Sequence, residues 1–273
     1  MQAPFAALSV SQPGDPDCLL QKCLCRAVSI PRLLSIVCRT TFIKEATMSQ
    51  SVTAVLVHGA WANAGCWSKV IPLLHAGGLS SVAVQLPLTS LEDDAAAVKR
   101  ALALIEGPVV LVGHSYGGVV ATATGNDSKV QSLVFVAAFA PDEGESAGAL
   151  GASADPAPLG AEIRPDSQGF LKLTRTGIDE SFGQDLPEDE RLVAFVTQGA
   201  TAAKALGDVV SAPAWKSKPS WYVVAEQDGA IQPSLQHRMA DRAKSQKTSV
   251  ASSHLVMLSH AAKVSDAILA AAK

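Results

Sequence analysis

Three short apolar runs, each closed by a glycine or a proline, constrain the fold more than anything else in the chain. They are TAVLVHG (53–59), SVAVQLP (81–87) and PVVLVG (108–113). Their apolar residues follow one another without alternation, the pattern of strands buried on both faces. Strands of that kind have no solvent face, so they belong inside a parallel sheet covered by helices. Helical patterns fill the gaps. WSKVIPLLHAGG (67–78) reads as one helix stopped by Gly77 and Gly78, with Pro72 inside it. Leu91, Ala95, Val98, Leu102 and Ile105 recur at helical spacing behind a capping pattern of Ser90 and Asp93. A fourth strand, VQSLVFVAAF (130–139), comes next.

This alternation predicts an α/β fold with a doubly wound, mostly parallel sheet. The rhythm lapses over residues 141–218, where Gly, Pro and acidic clusters gather and DERLVAFVTQGATAAKAL (189–206) reads as helical. It resumes with PSWYVVAEQD (219–228), a helix opened by Pro233, the strand KTSVASS (247–253) and a final helix from about 260. An interruption of that length inside a regular core is expected to form a helical lid.

Residues 1–47 are unlike the rest. CLLQKCLCRAVSIPRLLSIVC is apolar, but Lys22, Arg26, Pro31 and Arg32 break it well short of a membrane span. The opening also lacks the basic start of a secretory signal. The expectation is a disordered leader, or an over-extended start with Met48 as the true one, leaving 48–273 as the folded domain. Cys18, Cys23, Cys25 and Cys38 lie in this stretch and only Cys66 beyond it. The odd total, at a spacing that fits no common zinc pattern, favours neither disulfides nor a metal site and suits the cytoplasm. A net charge of −3 gives no reason to expect nucleic acid or an anionic membrane as partner. With 273 residues, 48% of them hydrophobic, the chain can bury a large single core.

Chemistry concentrates at LVGHSYGGVV (111–120), where Ser115 stands between Gly113 and Gly117 as the third strand gives way to a helix. A G-x-S-x-G bend in that setting presents a serine at the carboxyl edge of a parallel sheet, where ligands bind. Serine attacks a carbonyl only when a base takes its proton, so a histidine oriented by a carboxylate is required. His254 directly follows the last strand and is chosen as base ahead of His260, which would start or cap the final helix. His75 and His237 fall on helices, His114 should point away from Ser115, and His58 belongs to the first loop. Asp228, at the tip of the loop after the penultimate strand, is chosen as acid, with Glu226 as runner-up. The order Ser115, Asp228, His254 is that of an α/β-hydrolase. The three side chains are expected to converge within hydrogen-bonding reach. The negative oxygen of a tetrahedral intermediate would be met by the backbone N–H groups of Tyr116 and of Ala60 in HGAW.

VLVHGAW, GHSYGG, the Asp228 loop and SSHLVMLSH together resemble the α/β-hydrolase superfamily. Within it, residues 52–273 are similar to the small-molecule esterases grouped with plant methylesterases, salicylate-binding proteins and hydroxynitrile lyases. The resemblance implies nucleophile, acid and base at Ser115, Asp228 and His254, and oxyanion amides at Ala60 and Tyr116. It implies a serine hydrolase that cleaves a small, largely apolar carboxylic ester through an acyl-enzyme. Hydroxynitrile lyases carry threonine and lysine where this chain has Gly59 and Leu255, which disfavours carbon–carbon cleavage. A non-catalytic small-ligand receptor on the same fold is the other alternative. No cofactor is expected: HGAWANAG lacks G-x-G-x-x-G, and no G-x-x-x-x-G-K-[ST] occurs.

Overall fold

The computed structural model describes residues 51–273. The expectations for residues 1–47, with Cys18, Cys23, Cys25 and Cys38, lie outside the described residues.

Along the first half, β1 (Thr53–Val57), α1 (Val70–Ala76), β2 (Ser80–Val84), α2 (Leu91–Ala103), β3 (Val109–His114), α3 (Gly117–Thr124) and β4 (Val130–Val136) alternate as the apolar periods dictate. Helix α1 is shorter than expected because a 3-10 turn at Ala64–Trp67 precedes it. Pro72 therefore falls in the first turn of α1, where its missing N–H has no helical partner to lose. Ser90 caps α2, its hydroxyl accepting from the Asp93 N–H, and three acidic residues fill the first turn.

Six strands form one sheet in the order β2-β1-β3-β4-β8-β9, all pairs parallel, with β8 at Ser220–Ala225 and β9 at Gln246–Val250. Every residue of β3 is buried, as its unbroken apolar run requires. The chain steps from β1 to β2 on one side and to β3 on the other. Right-handed crossovers then put α1 and α2 on opposite faces of the sheet. α1 packs with α10 (Ala261–Ala271), and α2 packs with α3. That reversal opens a crevice above the carboxyl ends of β1 and β3, where the loops diverge.

Between β4 and β8 lies the long insertion. It carries α4 (Ala147–Ala152), β5 (Ile163–Pro165), β6 (Phe170–Leu173), α5 (Arg175–Gly177), α6 (Glu188–Thr197), β7 (Thr201–Ala202) and α7 (Ala203–Gly207). The expected helical lid is mixed rather than helical throughout, because β5, β6 and β7 form a second, antiparallel sheet beside its helices. The expected helix over 189–206 breaks after Thr197. Gln198 adopts an extended backbone, and its side chain replaces a strand neighbour, accepting from Leu173 N–H at 2.7 Å and donating to Leu173 C=O at 3.2 Å. Helices α8 (Pro233–Arg242) and α9 (Val256–Ser259) complete the chain. Among the described residues no helix is long and apolar enough to cross a membrane.

Candidate active site

All five sequence-selected positions lie on loops at the carboxyl ends of sheet strands: Ala60 after β1, Ser115 and Tyr116 after β3, Asp228 after β8 and His254 after β9. Ser115 has φ of 53°, a left-handed conformation that a residue with a Cβ adopts at a cost of roughly 1–3 kcal/mol. The glycines around it make that bend possible. A Cβ on Gly113 would lie 2.5 Å from Gly117 O, and one on Gly117 would lie 2.5 Å from Val57 O. Both contacts are with backbone, which cannot swing aside. Gly59 is as tightly held, since a Cβ there would come 2.5 Å from Ser115 Cβ and 3.1 Å from its Oγ.

His254 is wholly buried, and its Nδ1 lies 2.7 Å from Asp228 Oδ2. The Asp228 carboxylate is satisfied on every side. Oδ1 accepts from the N–H groups of Ala230 and Ile231 at 2.7 and 2.9 Å, and Oδ2 also accepts from Gln236 Nε2 at 2.7 Å. A carboxylate so bound stays acceptor-only, so Nδ1 of the imidazole carries the proton and Nε2 is left with a free lone pair. Nε2 is buried and has no hydrogen-bond partner among the described residues. The structure therefore brings Asp228 and His254 into contact, whereas Ser115 and His254 share no hydrogen bond. Ser115 Oγ instead lies beside Gly59. Glu226, the alternative acid, is half exposed to solvent and pairs with His237 at 3.0 Å.

The other histidines are structural. His58 donates from Nδ1 to Gly59 C=O at 2.8 Å and accepts from Leu86 N–H at Nε2 at 2.9 Å, joining the loops after β1 and β2. Burial pushes its pKa down to about 4, so it stays neutral near pH 7. His114 points away from the serine as expected: its Nε2 donates to the His254 C=O at 3.0 Å, and burial also lowers its pKa. The His254 ring is held between His114 and Phe182, with centroids 4.7 and 4.9 Å away. His260 stands at the start of α10, as anticipated.

Sequence reasoning missed three residues that hold these groups. Gln236 orients Asp228; Asp185 accepts from Ser253 N–H at 3.0 Å, fixing the residue before His254; Thr201 accepts from Trp61 N–H at 3.1 Å, fixing the residue after Ala60. Asp185 and Thr201 come from distant stretches of chain, Gln236 lies eight residues beyond Asp228, and none sits in a motif that singles it out.

A cavity of about 390 Å³ reaches Ser115, Ala60 and Tyr116. The insertion supplies much of its wall, including Ala147, Leu159, Ile163 and Leu206, and no charged side chain lines it. The N–H groups of Ala60 and Tyr116 donate no hydrogen bond to any described residue, so neither is committed within the protein. α3 begins at Gly117 and directs the positive end of its dipole to the same place. This arrangement can bind an uncharged group and stabilise a negative oxygen beside a serine hydroxyl. Among the described residues no group of three His, Cys, Asp or Glu could hold a metal ion.

Residues 54–267 match the alpha/beta hydrolase family. Among characterised sequences, Methylesterase 7 of Arabidopsis thaliana is 39% identical over 104 residues, 32% of this chain and 40% of that protein. The carbendazim hydrolyzing esterase of Nocardioides sp. (strain SG-4G) is 33% identical over 126 residues, 40% of this chain and 51% of that protein. The chain thus spans about half or less of the length of these relatives. Among solved structures, the pyrethroid hydrolase PytH superposes with a TM-score of 0.71 at 23% identity, covering 81% of this chain and 98% of that one. Polyneuridine aldehyde esterase superposes with a TM-score of 0.71 at 20% identity, covering 82% of this chain and all of its own. At these identities the superpositions establish the fold.

Proposed function

The chain belongs to the alpha/beta hydrolase family, and we propose that it hydrolyses a small, largely apolar carboxylic ester at Ser115 through an acyl-enzyme. The observation that carries this reading is the buried imidazole of His254, bound to Asp228 on one nitrogen and unpartnered on the other. Trp67 Nε1 and His114 Nδ1 are orphaned as well, and what sets His254 apart is the carboxylate on its other nitrogen, which suits its free Nε2 to accept a proton. The names of the sequence relatives, methylesterases and a carbendazim hydrolyzing esterase, point to the same bond type.

In this mechanism Ser115 Oγ turns from Gly59 toward His254 Nε2, gives up its proton there and attacks the ester carbonyl. The carbonyl oxygen becomes the oxyanion and accepts from Ala60 and Tyr116 N–H. Asp228 stabilises the imidazolium through Nδ1–H. Collapse of the intermediate expels the alcohol, which takes its proton from Nε2. Water then gives a proton to Nε2 and attacks the acyl carbonyl, and collapse releases the acid while Ser115 Oγ takes the proton back from Nε2. The uncharged cavity wall selects a neutral acyl group.

Carbon–carbon lyase chemistry fits less well. The threonine that hydroxynitrile lyases carry would replace Gly59, where even a single Cβ would crowd Ser115, and buried Leu255 stands where their lysine would be. A set of p-nitrophenyl esters of increasing acyl length tests the reading. Turnover that falls by several orders of magnitude in Ser115→Ala supports it. Undiminished turnover in that variant refutes it, and binding without turnover in the wild type favours the receptor alternative.

A further inference from the structure

Strand β7, only two residues long, grips the loops that carry both open N–H groups. Thr201 Oγ1 accepts from the Trp61 N–H at 3.1 Å, and Leu171, the cross-strand partner of Thr201, accepts from Trp61 Nε1 at 3.1 Å. Trp61 is thus held by backbone and side chain at once, in a left-handed conformation with φ of 55°. A tryptophan would leave that conformation if released, because its Cβ crowds the backbone there. The preceding peptide would turn with it, and that peptide follows Ala60. Thr201 itself is wholly buried.

The next residue reaches the other N–H. Ala202 N–H donates to Leu88 C=O at 2.8 Å, and Leu88 N–H donates to Asp94 Oδ1 at 2.8 Å. Asp94 Oδ2 then accepts from the Tyr116 hydroxyl at 2.8 Å. Leu88 is also left-handed, with φ of 59°. A buried carboxylate that links a strained loop to a buried phenol ties both rigidly, since releasing either partner would leave it unsatisfied.

We infer that Thr201 and Asp94 are positioning residues for the oxyanion site: β7 holds Ala60 N–H through Trp61 and Tyr116 N–H through Leu88 and Asp94. The inference rests on the serine-hydrolase reading above. It makes the insertion part of the catalytic frame, since the insertion sets the aim of two donors that it does not itself contain. Donor placement matters because the N–H groups must meet the oxygen where it stands in the transition state, and displacement by about 1 Å costs up to roughly 100-fold in rate.

Thr201→Val keeps the shape and the strand preference of the side chain and removes the acceptor. It is expected to lower kcat on p-nitrophenyl acetate by roughly 10- to 100-fold with KM changed by no more than about twofold. Thr201→Ser, which keeps the hydroxyl, should restore kcat to within about threefold of wild type. Tyr116→Phe cuts the longer arm while keeping its N–H, and should lower kcat by roughly 3- to 10-fold. A folded Thr201→Val protein with wild-type kcat overturns the inference, and so does a serine variant no better than valine. If Thr201→Val does not fold, wild-type kcat in Tyr116→Phe overturns it instead. Ser115→Ala is measured alongside: an active Ser115→Ala sinks the underlying reading, whereas an inactive one beside a normal Thr201→Val sinks this inference alone.

Discussion

The core sheet and helix α6 of the insertion are built on opposite principles. Strands β1, β3 and β4 are buried almost throughout, so their side chains have one place to go. Helix α6 of the insertion buries none of its residues completely and leaves Leu192, Val193 and Val196 exposed. Polar tethers hold it: Lys69 pairs with Glu190 at 2.6 Å, and Asn63 Nδ2 donates to Thr197 C=O at 3.0 Å. Exposed pairs of that kind contribute about 1 kcal/mol or less each, against roughly 1.5–3 for each large apolar side chain in the core. The proposed nucleophile, base and acid all follow strands of the sheet, and the pocket wall draws on buried residues of the insertion outside α6, Ala147 and Leu159 among them. Chemistry that needs fixed geometry is thereby kept off α6, while β7 of the same insertion holds the loops of the proposed oxyanion donors.

His254→Ala challenges this division most severely. Loss of the base should reduce kcat by about 10⁴-fold while circular dichroism and the melting profile stay near wild type. Gly117→Ala probes the rigid part directly. The new Cβ would meet Val57 O at 2.5 Å and His58 O at 2.6 Å, so a loss of more than about 3 kcal/mol in denaturant unfolding is expected.

The pH dependence of stability should also come from the core. His58, with its folded pKa lowered to about 4 by burial, binds its proton more readily when unfolded. Stability is then fully present above the unfolded value near 6.5 and is lost as pH falls from there toward about 4, by up to roughly 3 kcal/mol. His114, lowered by burial as well, acts in the same direction. Denaturant midpoints measured across that interval in wild type and His58→Asn check this, the variant showing the shallower slope. The smallest effect belongs to the insertion: Leu192→Ser and Val196→Ser should each change stability by no more than about 0.5 kcal/mol.

The same division decides what could be read before the structure. Strand and helix positions in the core follow from burial on two faces, a local pattern, and the chosen residues fall at strand ends because motif and topology coincide there. The insertion has few such patterns. Gln198 ends α6 by bonding Leu173, 25 residues earlier, and no periodicity announces such a contact. The β5–β6 hairpin was more legible than it looked. Asp166 Oδ1 accepts from the N–H groups of Gln168 and Phe170, and Gly169 takes φ of 83°, the ordinary chemistry of an Asp-x-x-Gly turn. Acidic and glycine-rich composition around it masked that signal. Asp185 and Thr201 remained unseen because their contacts reach across the fold, and Gln236 because a polar residue inside a helix carries no local sign of its partner. The expected Ser115–His254 hydrogen bond is absent, and no sequence pattern specifies a side-chain rotamer.

A fluorophosphonate reporter applied to the intact protein, followed by mass mapping, interrogates the proposed chemistry at its first bond. A single adduct on Ser115, abolished or greatly slowed in His254→Ala, is the predicted result. Labelling at another residue, or rapid ester turnover by a protein whose Ser115 stays unmodified, would contradict it.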